Sequence, residues 1–292
     1  MKKKLTTLLV LVTLSLTGIS AFGQDATIKW TPVYDGLSYT ALEASEPLQK
    51  IFVARIDTSK AVSYFVTERN TDYAPDERET WRETTAGFLK KNDLEVAINA
   101  NFYSPFTAQT IREPGNSFLI STAVSDGVVV STPTPDFPTF AIHKDGKFEI
   151  RAYEEDENLD DIEQAVAGSK IVLKDGKVPE IDDDSIHPRS AIGYSADQRY
   201  LYLVAIDGRQ EGYSVGAKLE DVGKALLRVG ASEGLNLDGG GSTTLVFKGS
   251  DGEPIVVNRP CNGTVDKLRF NGNSFGVNFN GELKTELKDG RK

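Results

Sequence analysis

The sequence predicts an α+β fold, mainly antiparallel or mixed sheet with two or three packed helices. Two observations predict it: strand-like runs joined by a repeated turn signal, and a few stretches with helical spacing. The turn signal is Asp-Gly, at Asp126-Gly127, Asp145-Gly146, Asp175-Gly176 and Asp251-Gly252. Most of these pairs are flanked by β-branched or aromatic residues, as across residues 140–150, which is the pattern of two-residue hairpins. The helical stretches are residues 79–91, 159–167 and 219–229. In the last, Leu219, Val222, Leu226 and Val229 fall on one stripe. The chain has 292 residues, 39 % apolar and 26 % charged, enough to bury a sizeable core and unlike a disordered or collagen-like chain.

In chain order, Lys2, Lys3 and Lys4 precede an apolar run over residues 8–16 and a small-x-small site at Ala21-Phe22-Gly23. This is the pattern of a secretory signal peptide over residues 1–23, cleaved near Gly23, so the protein is expected to be exported, periplasmic or secreted. The run is too short to span a membrane, and no other segment reaches that length. Residues 24–90 form a strand-rich N-terminal region with candidate strands at 51–56 and 62–66, and no linker sets it apart. The 33 Lys+Arg stand against 43 Asp+Glu for a net charge of −10, with no basic run after the first residues. That excludes a nucleic-acid or anionic-membrane partner, which would need a basic face; no protein partner can be inferred. Cys261 stands alone, so there is no internal disulfide, and one cysteine with two histidines does not make a structural zinc site. The acidic stretches at 154–161 and 182–184 lack calcium-loop spacing and read as solvated faces.

Four segments place polar or flexible residues where a strand ends. They are Asn99-Ala-Asn-Phe-Tyr103, His187-Pro-Arg-Ser-Ala-Ile-Gly193, Ala205-Ile-Asp-Gly-Arg209 and Leu235-Asn-Leu-Asp-Gly-Gly-Gly-Ser-Thr-Thr244. Asn99 and Asn101 would project to one side of a continuing strand, where amides suit sugar hydroxyls or cap a turn. Three glycines after Asp238 suit a sharp turn or a close approach to a ligand, and such a turn can gather N–H groups into an anion nest beside Ser242 and Thr243. A bulged hairpin turn explains the same run equally well. Arg189 and Arg209 are natural phosphate or carboxylate partners, because a guanidinium offers a planar, permanently charged pair of donors. Gly212-Tyr-Ser-Val-Gly216 matches a nucleophile elbow, but His143 and His187 both precede Ser214, the wrong order for an α/β-hydrolase.

Together these segments resemble the phosphodiester glycosidase family. Residues 99–103 are similar to its Asn-Gly-Gly-Phe-Phe region, with Ala100 and Asn101 in place of the glycines. Arg189-Ser-Ala-Ile-Gly193 is similar to its Arg-Thr-Ala-Ile-Gly, Asp207-Gly-Arg209 to its Asp-Gly-Arg/Gln, and Asn236-Leu-Asp-Gly-Gly-Gly-Ser242 to its Asn-Leu-Asp-Gly-Gly-Gly-Ser. The resemblance implies a glycosidase-like domain over residues 91–280, a C-terminal tail over 281–292, and hydrolysis of a glycosidic C–O bond to phosphate. The substrate would be a small-molecule or glycan sugar phosphodiester.

The residues present suit that chemistry. A phosphate leaves well once its charge is neutralised, a task for Arg189, Arg209 and the turn of Gly239, Gly240, Gly241 and Ser242. A carboxylate must then attack the anomeric carbon or activate water. Asp238 is the first candidate, Asp207 the second, and Glu113 a third, similar to an acid placed there in the family. Asn99, Asn101 and Asn236 would position hydroxyls, with Phe102 and Tyr103 on the sugar ring. No cofactor is required, although two aspartates near a phosphate leave a divalent metal open. The rival readings are a non-catalytic carbohydrate- or cell-wall-binding protein and a metal-assisted phosphodiesterase that cuts P–O.

Overall fold

The computed structural model describes residues 27–60, 62–72, 78–261, 267–279 and 281–291; the expected signal peptide lies outside them. Among the described residues every strand pairing is antiparallel, in four sheets. The largest sheet has seven strands in the order Thr31–Tyr34, Leu37–Ser45, Leu48–Asp57, Tyr200–Ile206, Arg189–Tyr194, Glu233–Asn236 and Lys170–Leu173. One five-stranded sheet runs Val128–Ser131, Ala123–Ser125, Ile162–Ala167, Thr139–His143 and Phe148–Arg151. The other runs Pro254–Val256, Leu245–Lys248, Val96–Asn99, Ser274–Asn278 and Ser63–Val66, and a small sheet joins Thr80–Arg82, Gly115–Leu119 and Tyr103–Ser104.

The three larger sheets share one core. Ile192, Leu203 and Leu235 meet Phe140, Phe148 and Ile150 from one five-stranded sheet and Ile98, Phe247 and Phe275 from the other. Alternation along Tyr200–Ile206 shows how the layers form. Leu201, Leu203 and Ala205 enter this core, while Tyr202, Val204 and Ile206 enter a second one under helix α2 (Leu219–Val229). A strand covered on both faces reads as an unbroken apolar run. Helix α2 lays Leu219, Val222, Leu226 and Val229 on this second core and ends at Gly230 with φ 104°, a left-handed cap that glycine adopts without strain.

The fold is mostly β and not the expected α+β, and the differences have local causes. Residues 159–167 were expected to be helical, but Ile162–Ala167 is a strand paired with Thr139–His143. Its register slips between Ile142 and His143, leaving Glu163 as an extra residue. This bulge brings Ile162 and Ala165 into the same small core, so a strand acquires the i, i+3 spacing of a helix. In residues 79–91 only Thr85–Lys91 is helical (α1), because Thr84 caps it by accepting the N–H of Gly87 at 3.0 Å, and Thr80–Arg82 is a strand. The Asp-Gly turns do connect hairpins. Asp126 and Gly127 have φ 49° and 73°, and Asp175 and Gly176 have φ 48° and 69°, the paired positive values of a type I′ turn. No helix among the described residues is long and apolar enough to cross a membrane.

Candidate functional site

The site forms where Val96–Asn99, Tyr200–Ile206 and Glu233–Asn236 end and Arg189–Tyr194 begins, and the adjoining segments are tied together. Leu237 N–H donates to Ser190 O at 2.8 Å, Asp238 N–H to Ala100 O at 2.9 Å, and Gly240 N–H to Pro188 O at 2.9 Å. Asn99 is the staple. Its Nδ2 donates to Asp238 O at 2.6 Å, and its Oδ1 accepts from Ser190 Oγ at 2.7 Å and Thr244 N at 3.1 Å. Two of the glycines are sterically necessary. A Cβ on Gly239 would lie 2.4 Å from Pro188 O, and Gly240 has φ 63°, a left-handed value that side chains rarely adopt.

These segments open onto a cleft of about 410 Å³ lined by Asp238, the arginines 189, 209 and 269, His187, and an apolar wall that includes Phe102, Tyr103 and Phe106. Asp238 is the only carboxylate among the described lining residues. Burial pushes it up to about 6, opposed by a hydrogen bond from Ser242, the charge of Arg269 and the Gly239 N–H. Arg189 is almost buried, and burial pulls its guanidinium down. Its Nε donates to Ala217 O at 3.0 Å and its Nη2 to Ser185 O at 2.9 Å, while Nη1 makes no hydrogen bond to a described residue. Arg209 Nη2 donates to His187 Nδ1 at 3.1 Å. Arg269 stands over the Phe106 ring at 5.0 Å, and its Nη1 lies 3.4 Å from Ser242 Oγ.

Several sequence-predicted residues lie elsewhere. Asp207 is buried outside the cleft lining. Its Oδ1 accepts from Asn258 Nδ2 at 2.9 Å, and its Oδ2 from Arg259 N at 2.8 Å and Tyr213 OH at 3.1 Å. Burial also pushes it up to about 6. Glu113 is exposed at the end of the 3-10 turn Thr110–Arg112, 3.2 Å from Gln109 Nε2, and does not line the cleft. Asn99, Asn101 and Asn236 are buried; the first two spend both ends of their amides on the protein, whereas Asn236 Oδ1 has no hydrogen-bond partner among the described residues. Asn101 Nδ2 donates to Thr122 O at 3.0 Å and its Oδ1 accepts from Ala167 N at 3.1 Å; Asn236 Nδ2 donates to Ser169 Oγ at 2.9 Å. The N–H groups of Gly239, Gly240, Ser242 and Thr243, expected to help form an anion nest, are bonded within the protein. The glycines enter the 3-10 turn Gly240–Ser242, where Ser242 N–H bonds Gly239 O and Thr243 N–H bonds Gly240 O. The Gly239 N–H serves Asp238 itself. Ser214 of the decoy elbow is fully buried and donates to Asp207 O at 2.5 Å.

Tyr103 does line the cleft, anchored by its hydroxyl on Phe270 O at 2.7 Å. Sequence reasoning missed Arg269 and Phe106. Neither sits in a motif, and folding alone brings them beside Asp238. No described group of three or more His, Cys, Asp or Glu is gathered to hold a metal.

The sequence profile of phosphodiester glycosidases matches residues 92–278, more than half of the chain. The chain belongs to the phosphodiester glycosidase family. All four segments that build the site fall within the matched residues. Among solved structures, this family member is similar to the catalytic domain of zebrafish N-acetylglucosamine-1-phosphodiester α-N-acetylglucosaminidase, a domain auto-inhibited by its pro-peptide. The identity is 19 % and the TM-score 0.62, over 89 % of this chain and 86 % of that one. A hypothetical protein from Synechocystis is similar at 15 % identity and TM-score 0.59, over 87 % of this chain and 64 % of that one. At such identities the likeness is one of fold. No curated protein matches.

Proposed function

We propose that this glycosidase-family protein is an exported hydrolase that cleaves the C–O bond of a sugar-1-phosphodiester. The observation that carries the reading is the charge arrangement of one cleft, a single buried carboxylate at Asp238 among Arg189, Arg209 and Arg269. The arginines neutralise the phosphodiester and the charge growing on the leaving phosphate, Arg189 through Nη1 and Arg209 from the loop end. Asp238, ionised, attacks the anomeric carbon or takes a proton from the attacking water. Arg269 and Ser242 keep that carboxyl ionisable in a site that burial would otherwise hold neutral. Tyr103 and Phe106 offer the sugar ring an apolar wall. Asp207 braces the Arg209 loop against Asn258 and Arg259. Export rests on the pattern of residues 1–23. The name of the zebrafish relative makes N-acetylglucosamine the first sugar to test.

The test is release of free sugar from UDP-N-acetylglucosamine and from a simple α-sugar-1-phosphodiester, in heavy-oxygen water, with and without chelator. The expected result is turnover with the heavy oxygen in the sugar, reduced at least about 10³-fold in a folded Asp238→Asn variant. Heavy oxygen in the phosphate, together with loss of turnover with chelator, would instead identify a metal-assisted P–O phosphodiesterase. Sugar-phosphate binding without turnover would identify a carbohydrate-binding protein.

A further inference from the structure

We propose that His187 is a positioning residue for Arg209: its Nδ1 accepts the Arg209 Nη2–H and fixes the guanidinium beside the Gly240 turn. The imidazole is thereby held as the Nε2–H tautomer and serves a bound phosphate only through the placement of Arg209. Only the phosphate as ligand rests on the function proposed above; the hold on Arg209 does not.

Chemistry sets the direction of the bond. A guanidinium carries donors and no acceptor, so the Nδ1 that lies 3.1 Å from Arg209 Nη2 must be bare and the ring proton must sit on Nε2. Nε2 makes no hydrogen bond to a described residue. The charged groups around the ring agree with a neutral imidazole. Burial, Arg189 and Arg209 all push it down, and only Asp183 opposes them; Arg269 and Asp238 line the same cleft. A second proton on the ring would force it to face Arg209 donor to donor.

Geometry sets which partner positions the other. His187 has a fixed backbone: its N–H donates to Ala217 O at 3.2 Å, its O accepts Ala217 N–H at 2.9 Å, and a Cβ on Gly216 would lie 2.6 Å from that oxygen. Arg209 is exposed, has φ 59°, and carries a long, rotamer-rich side chain. Its Nη1 lies 3.2 Å from where a Gly240 Cβ would stand, so the glycine leaves the space that the guanidinium occupies. The anchored ring therefore selects one placement of the long arginine side chain.

The protein has two histidines, which makes the ring spectrum decisive. Long-range ¹H–¹⁵N spectra at neutral pH, with His143→Gln to remove the other ring, should show His187 as the Nε2–H tautomer, and Arg209→Met should release it to a mixture. Titration with inorganic phosphate needs no turnover. His187→Asn, whose Oδ1 keeps an acceptor near Nδ1, should hold phosphate within about twofold of the unsubstituted protein, His187→Phe should weaken it about tenfold, and in Arg209→Met the Phe substitution should add nothing. An Nδ1–H tautomer, a ring indifferent to Arg209→Met, or additive losses in the double variant would overturn the proposal. The Nε2–H spectrum without phosphate binding would support the hold on Arg209 and count against phosphate as the ligand.

Discussion

The amides of Asn99 and Asn101 are turned inward, and that changes what a substitution there should do. Asn99 contacts Asp238 through the backbone carbonyl, so Asn99→Ala strips partners from Thr244 N and Ser190 Oγ and frees the Asp238 backbone. Leaving buried groups unsatisfied costs about 1–3 kcal/mol. Denaturant unfolding should show that loss, with kcat falling more than KM rises, because the displaced group is the carboxylate proposed to react and no sugar contact is removed. In the role proposed for it, Asp238 must be ionised to attack or to act as a base. Its carboxyl is pushed up to about 6, so kcat/KM on a substrate that does not titrate in this range should rise with pH through about 6 and then level. A profile that falls through that pH would assign Asp238 the role of proton donor. At this scale the sequence is legible where residues sit in tight motifs. Asp238, Arg189 and Arg209 occupy strand ends whose glycines reveal the close packing there. Arg269 lies between Leu268 and Phe270, with nothing local to distinguish it from a surface arginine.

Among the elements, the two whose local signals agree with their tertiary role can be read directly. The stripe of α2 meets the seven-stranded sheet, and the Asp-Gly pairs set the hairpin turns. Reading fails at Ile162–Ala167, where one bulged residue converts a two-residue period into a helical one, and only the pairing with Thr139–His143 reveals it. Nor does any spacing show that Leu48–Asp57, far from the motifs in sequence, runs along the whole of Tyr200–Ile206 and so supports the strand that delivers Arg209. The cap of α2 gives a clean test. Gly230 has φ 104° and a Cβ there would meet Tyr202 OH at 3.0 Å, so Gly230→Ala should cost about 1–2 kcal/mol in denaturant unfolding while leaving KM unchanged. Gly239→Ala should behave differently. Its Cβ would collide with Pro188 O at 2.4 Å, prying the Asp238 segment from the Arg189 strand, so activity should fall along with stability.

For the whole molecule, the site conflicts with the fold that holds it. Asp238 is buried with a carboxyl raised to about 6, against an ordinary value near 4 in the unfolded chain. The folded state therefore binds that proton more tightly than the unfolded state does. The stability this gives is full below about pH 4 and is lost as pH rises through about 6. Other carboxylates act in the opposite sense: Asp57, Glu149, Asp183 and Asp197 are held below their usual range by hydrogen bonds or nearby arginines, and their stabilisation is lost in acid. The raw pH profile mixes both trends, but subtraction separates them. Asp238→Asn cannot titrate, so its stability relative to the unsubstituted protein should improve between pH 4 and pH 7 by roughly 2–3 kcal/mol, the size of a two-unit shift. Urea unfolding of the two proteins at both pH values measures this. A difference independent of pH would mean that the carboxyl is not destabilised by its site. A difference that grows with pH would mean that the fold holds a carboxylate at a cost in stability, as expected where a charge is kept for chemistry.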